Sequence, residues 1–93
     1  MKLNINKINR KLKSLSGWNF SDDNLVKTFQ FKDFLESIHF INDISKIAEK
    51  HDHHPDILIQ YSKVTLSLST HDEGGVTEKD FSLAEEIESQ YEN

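Results

Sequence analysis

One seven-residue stretch constrains the fold more than any other. Over residues 64–70, Val64, Leu66 and Leu68 alternate with Thr65, Ser67 and Ser69. Successive side chains on a strand point to opposite faces. This segment therefore predicts a strand with one apolar and one polar face. A strand of a parallel sheet, buried on both sides, reads as a continuous apolar run instead. The pattern calls for an antiparallel sheet covered on a single face.

The rest of the chain supplies partners for it. Residues 25–31 place Leu25, Phe29 and Phe31 on one side and Val26, Thr28 and Gln30 on the other. Trp18 and Phe20 flank Asn19 in a shorter strand, and residues 57–61 form another. Ser21-Asp22-Asp23-Asn24 is a turn. Between the two strand pairs, Asp33 caps a helix that runs to about Lys50, with Glu36 three residues on completing a capping-box variant. Phe34, Ile38, Ile41 and Ala48 share one side of it, with Phe40, Ile44 and Ile47 beside them. At roughly 100° per residue the two groups span about half the circumference, more than one sheet face needs. The excess predicts a homodimer or homotetramer built through the 33–50 helix, with Ile44 in the contact. Residues 3–15 form a short amphipathic helix on Leu3, Ile8, Leu12 and Leu15, ended by Ser16-Gly17. Thr77 caps a last helix, with Asp80 three residues on and Phe81, Ala84, Ile87 and Tyr91 as its apolar stripe.

The expected architecture is α+β in two layers. A four-stranded antiparallel sheet carries helices on one face, with a β-β-α-β-β-α core preceded by an N-terminal helix. A single domain spans residues 1–93. The uncovered sheet face is left open for a site or a partner.

Composition narrows the function. Without cysteine there is no thiolate nucleophile, disulfide or Cys-ligated zinc. The net charge is −5, and the basic residues gather on one short helix, at Lys7, Arg10, Lys11 and Lys13. A nucleic-acid partner held by phosphate contacts is not expected. No apolar run approaches membrane-spanning length, so no membrane partner is expected. Met1 to Lys7 has no leader character, and a cytoplasmic location is the expectation.

Histidine stands out. Four of the five, His51, His53, His54 and His71, fall in one short central region. Imidazole is the side chain that can both donate and accept protons near neutral pH, so a cluster suits proton transfer. Glu49 and Asp52 lie close enough in sequence to orient one. Two other readings fit the same residues. Adjacent histidines after a helix can be polar loop residues favoured by the helix C-terminus. His51, His53 and His71 could instead supply three nitrogens to a catalytic zinc. No His-Glu-x-x-His helix, phosphate-cradling glycine loop or Ser-His-Asp arrangement stands out.

The chain reads Glu49, three spacers, His53-His54-Pro55, Tyr61 after five more, His71 after nine and Asp80 after eight. In this it resembles the pterin-4a-carbinolamine dehydratases. Phe31-Lys32-Asp33-Phe34, Leu68-Ser69-Thr70-His71 and Thr77-Glu78-Lys79-Asp80 also look typical of that family. The resemblance covers nearly the whole chain and implies the same two-layer fold, assembled as dimers or tetramers. It implies removal of water from a 4a-hydroxytetrahydropterin to give the quinonoid dihydropterin, in recycling the cofactor of an aromatic amino-acid hydroxylase. No cofactor or metal is implied, because the pterin is the substrate. By position, His53 and His71 would be the general acid and base, and His54 would bind the pterin ring. Glu49 and Asp80 would support the histidines, and Pro55, Trp18 and Thr70 would shape the pocket. Tyr61 is expected as a core or wall aromatic, and Asp80 equally as the capping-box acid of the last helix. His51 lies outside the pattern and is expected to be dispensable. The runner-up is a binding protein of the same fold, because some relatives act as assembly factors or transcription cofactors.

Overall fold

The computed structural model describes residues 1–92. Its elements run α1 (Ile5–Leu12), β1 (Asn19–Ser21), β2 (Asn24–Gln30), α2 (Phe34–His51), β3 (Asp56–Gln60), β4 (Lys63–Leu68) and α3 (Glu78–Glu92), with a single 3-10 turn at His71–Glu73 before α3. The four strands form one sheet in the order β1-β2-β4-β3, and every neighbouring pair is antiparallel. This is the expected α+β architecture.

Both hairpins are tight. Asp22 and Asp23 take positive φ angles of 49° and 62° between the paired residues Ser21 and Asn24. Two successive left-handed residues match the twist of a hairpin, and aspartate tolerates that region better than most. The β3–β4 hairpin turns through Tyr61-Ser62, with Tyr61 at φ 54°.

The alternation in β4 behaves as expected. Val64, Leu66 and Leu68 are fully buried, and Thr65, Ser67 and Ser69 are only partly covered. They meet Leu25 and Phe29 of β2 on the same face. Phe40, Ile44 and Ile47 of α2 and Phe81, Ala84 and Ile87 of α3 close the core from the helical layer. On the opposite face, the Thr28 and Thr65 hydroxyls pair across strands at 2.9 Å.

Several expectations are corrected. The first helix is shorter than 3–15 because Asn4, not Leu3, opens it: the Asn4 side chain accepts the Lys7 N–H at 2.9 Å. Trp18 precedes β1 and does not belong to it. β4 stops at Leu68, because Thr70 leaves the ladder to bridge Gly75. His71 therefore lies in a turn beyond the strand. Tyr61 is neither core nor wall but sits at the tip of a hairpin, 67% exposed. Ile44 is fully buried within the single chain and so cannot form a subunit contact. The exposed apolar residues of α2 are Phe34 and Leu35, near its start.

Candidate active site

Three chain ends converge on one side of the sheet. The first is the end of α2. Asp52 adopts the left-handed conformation (φ 51°), and its N–H closes onto Ala48 and Glu49. The His53 N–H also reaches the Ala48 carbonyl, at 3.1 Å. This wrapped terminus turns the chain away from the helix axis, and Pro55 prevents the helix from resuming. The second end is set by register. Asp56 pairs with Ser67 across β3 and β4. His53 and His54, just before β3, therefore reach the same end of the sheet as Ser69 and Thr70, just after β4, and the four line one cavity. The third is the start of α3, held to β4 by the Thr70–Gly75 bridge. The turn carrying His71 hangs between the last two.

Each histidine at the end of α2 takes its own carboxylate through Nε2. His53 bonds Asp80 at 2.5 Å, His54 bonds Glu49, and His51 bonds Glu86 at 2.8 Å. The three pairs are not equivalent. The Glu49 and His54 side chains are 76% and 57% exposed, and an exposed ion pair contributes little. Asp80 is fully buried and the His53 ring nearly so, at 13%. Asp80 Oδ2 accepts from the Thr77 N–H at 2.9 Å and the Thr70 hydroxyl at 2.8 Å. One carboxylate thus serves as capping-box acid and as histidine support, the two roles that the sequence left as alternatives.

The Asp80 contact is made through Nε2, so Nδ1 is the His53 ring nitrogen left without a carboxylate partner. A carboxylate there accepts the Nε2–H and leaves the Nδ1 lone pair for a ligand.

His53, His54 and His71 line a common cavity of about 370 Å³ with Ser69, Thr70 and Lys79. That volume falls within the range for small-molecule sites. Asp52 and Asp72 complete its wall. Among the described residues the His71 ring makes no hydrogen bond, so both its nitrogens are free for a ligand. Pro55 and Glu49 flank the cavity without lining it. Trp18 is not brought there: it is 4% exposed, its Nε1 donates to Glu88 at 2.8 Å, and its ring meets Phe29 edge-on at 6.0 Å. His51 is also elsewhere, held by Glu86. The His51, His53 and His71 set therefore does not converge, and among the described residues no three His, Asp or Glu side chains are grouped as metal ligands.

Ser69, Lys79 and Asp72 were not anticipated at the cavity, whereas Asp52, read as able to orient an imidazole, does line it. The signal for Ser69 was available in the strand register, once β3 and β4 are paired. For Lys79 and Asp72 there was none, because their placement depends on the turn that follows Thr70.

A family model described as pterin 4 alpha carbinolamine dehydratase matches residues 1–90. The chain belongs to that family. A Sulfolobus acidocaldarius protein, provisionally named pterin-4-alpha-carbinolamine dehydratase, is 53% identical over 87 residues, covering 94% of this chain and 96% of its own. A Picosynechococcus protein of the same provisional name is 48% identical over 77 residues, covering 83% and 84%. The crystal structure of a transcriptional coactivator/pterin dehydratase from Brucella melitensis superposes with a TM-score of 0.91 at 35% identity, covering 96% and 97%. A pterin dehydratase-like protein identified as a RuBisCO assembly factor in the alpha-carboxysome shares the fold, with a TM-score of 0.63 at 19% identity over 77% and 83%. No helix among the described residues is long and apolar enough to cross a membrane.

The third histidine pair has its own consequence. Lys50 bonds Glu86 at 2.7 Å, and together with His51 it holds the Glu86 carboxyl below its usual range. A carboxylate depressed in the folded state stabilises it above the unfolded pKa, and this contribution is lost as pH falls through the folded value. Glu86→Gln is therefore expected to be less stable than wild type near neutral pH, with the difference vanishing once the pH has fallen through the depressed carboxyl value. Urea unfolding near neutral pH and in acid measures it; a constant difference would contradict the pairing.

Proposed function

We propose that the protein is a 4a-hydroxytetrahydropterin dehydratase whose proton chemistry runs through His53 and His71. The single observation that carries this is the His53–Asp80 pair at the floor of a cavity shared with a free His71. Family membership supports the same reaction.

Dehydration breaks the C4a–O bond. The leaving hydroxyl takes a proton, the ring-nitrogen lone pair forms the new double bond to C4a, and a ring-nitrogen proton departs. Water and the quinonoid dihydropterin are the products. His53 is the acceptor in this account. Its Nε2–H is committed to Asp80, so Nδ1 takes the proton, and the imidazolium formed pairs with a buried carboxylate. His71 is exposed and exchanges with solvent, so it supplies the acid and is recharged directly. His54, on the cavity wall, offers an imidazole edge to the pterin ring. No resident cofactor is needed, since the pterin's own nitrogen expels the hydroxyl. The substrate arises where an aromatic amino-acid hydroxylase leaves its pterin hydroxylated, which makes such an enzyme the functional partner.

A positioned acid or base contributes roughly a hundred- to ten-thousand-fold. His53→Ala and His71→Ala are each expected to lose about that much in the dehydration rate of enzymatically generated 4a-hydroxytetrahydropterin, followed by absorbance. His51→Ala, which lies off the cavity, keeps nearly full activity. Equal loss in all three would sink the assignment. No acceleration by wild type would favour the binding-protein alternative.

A subunit contact on α2 is the assembly reading that the exposure of Phe34 and Leu35, 49% and 62%, supports. Leu35→Asp is expected to stay folded and lower the mass in light scattering. Ile44→Asp buries a charge in the core and is expected to lose cooperative unfolding altogether. An unchanged mass for Leu35→Asp would remove α2 as the interface.

A further inference from the structure

A chain of hydrogen bonds ends on His53, and each proton along it can be assigned. Thr70 donates its one hydroxyl proton to Asp80 Oδ2, because a carboxylate only accepts. Thr70 Oγ1 and Thr77 Oγ1 lie 2.8 Å apart, so the proton between them must come from Thr77. Thr77 Oγ1 in turn accepts the Lys79 backbone N–H at 3.2 Å. The chain therefore runs one way, from the Lys79 amide through the two hydroxyls to Asp80, whose other oxygen holds His53. Thr70, Thr77 and Asp80 are 8%, 4% and 0% exposed. Water has little access to replace a missing link, and no buried side-chain polar atom among the described residues lacks a partner.

A helix cap explains only part of this. Capping needs Thr77 Oγ1 as an acceptor for a first-turn N–H. Its donation to Thr70 does nothing for the helix. It removes the freedom of the Thr70 hydroxyl to turn away from Asp80, and so fixes the Asp80 carboxylate plane against which the His53 ring is set.

We propose that Thr77 is a positioning residue for the dehydration: its hydroxyl, acting through Thr70 and Asp80, holds His53 in the orientation that presents Nδ1 to the substrate. This rests on the dehydratase reading above.

The test compares Thr77→Val, which removes the hydroxyl at nearly constant shape, with Thr77→Ser, which keeps it. Leu83→Ala serves as a control that destabilises α3 from the core, where Leu83 is fully buried. All are assayed below their melting transitions. Thr77→Val is expected to lower kcat about tenfold or more with little change in KM, as displacement of a catalytic group does. Without the Thr77 donor to polarise and fix it, the Thr70 hydroxyl is a weaker donor to Asp80, which leaves Asp80 more charge for His53, so the acidic limb of the kcat/KM profile moves to higher pH. Serine restores both, and Leu83→Ala changes neither. If Thr77→Val shifts only the melting temperature, as Leu83→Ala does, Thr77 is a cap and the proposal fails. The His53 ring nitrogen NMR shifts report the same orientation without substrate. Should wild type prove inactive, the reaction reading falls, and an unchanged His53 spectrum in Thr77→Val overturns the positioning role separately.

Discussion

A fully buried carboxylate is costly unless its charge is met, and in this protein one such group, Asp80, organises the rest. It is met by His53, by the Thr70 hydroxyl and by the Thr77 amide at the start of α3. A helix N-terminus adds a favourable dipole. These partners come from three different stretches of chain: the exit of α2, the exit of β4 and the first turn of α3. Asp80 therefore ties the helical layer to the sheet at the one place where the histidines are presented. Losing any one partner would leave a buried charge short of a donor, so fold and site share the same constraint.

The fold supplies this convergence by simple means. The β3–β4 hairpin brings the entry to β3 and the exit from β4 to one end of the sheet, where His53 and His54 share a cavity with Ser69 and Thr70. The left-handed Asp52 and the ring of Pro55 end α2 on the correct side. The difference between His53 and its neighbours is then one of environment. The His54–Glu49 pair faces solvent, where a carboxylate does little to hold a ring, and the partly covered His51–Glu86 pair lies off the cavity. Only His53 is both immobilised and open to the cavity.

Much of this was legible in the sequence, for identifiable reasons. The β4 alternation and the caps at Asp33 and Thr77 are local signals, and local signals gave the element order. The His53-His54-Pro55 to Asp80 spacing carried the family. What failed depended on tertiary context. Trp18 looked like a pocket residue, but its N–H is taken by Glu88, far along α3. Tyr61 looked like a core aromatic, but the two-residue hairpin needs its position at the tip. Ile44 and the exposed pair Phe34 and Leu35 are alike in hydropathy, and only helix packing on the sheet separates core from surface. The end of β4 was overrun because Ser69 and His71 continue the polar series, while Thr70, on the buried face, leaves the ladder and commits its hydroxyl to Asp80.

The most direct test is a crystal structure of the protein with a dihydropterin bound. The pterin ring is expected in the His53–His54–His71 cavity, with its C4a edge within hydrogen-bonding reach of His53 Nδ1 and the His71 ring, and with Asp80 still on Nε2. A pterin bound on the open sheet face, or a His53 ring turned so that Nδ1 meets Asp80, would contradict it.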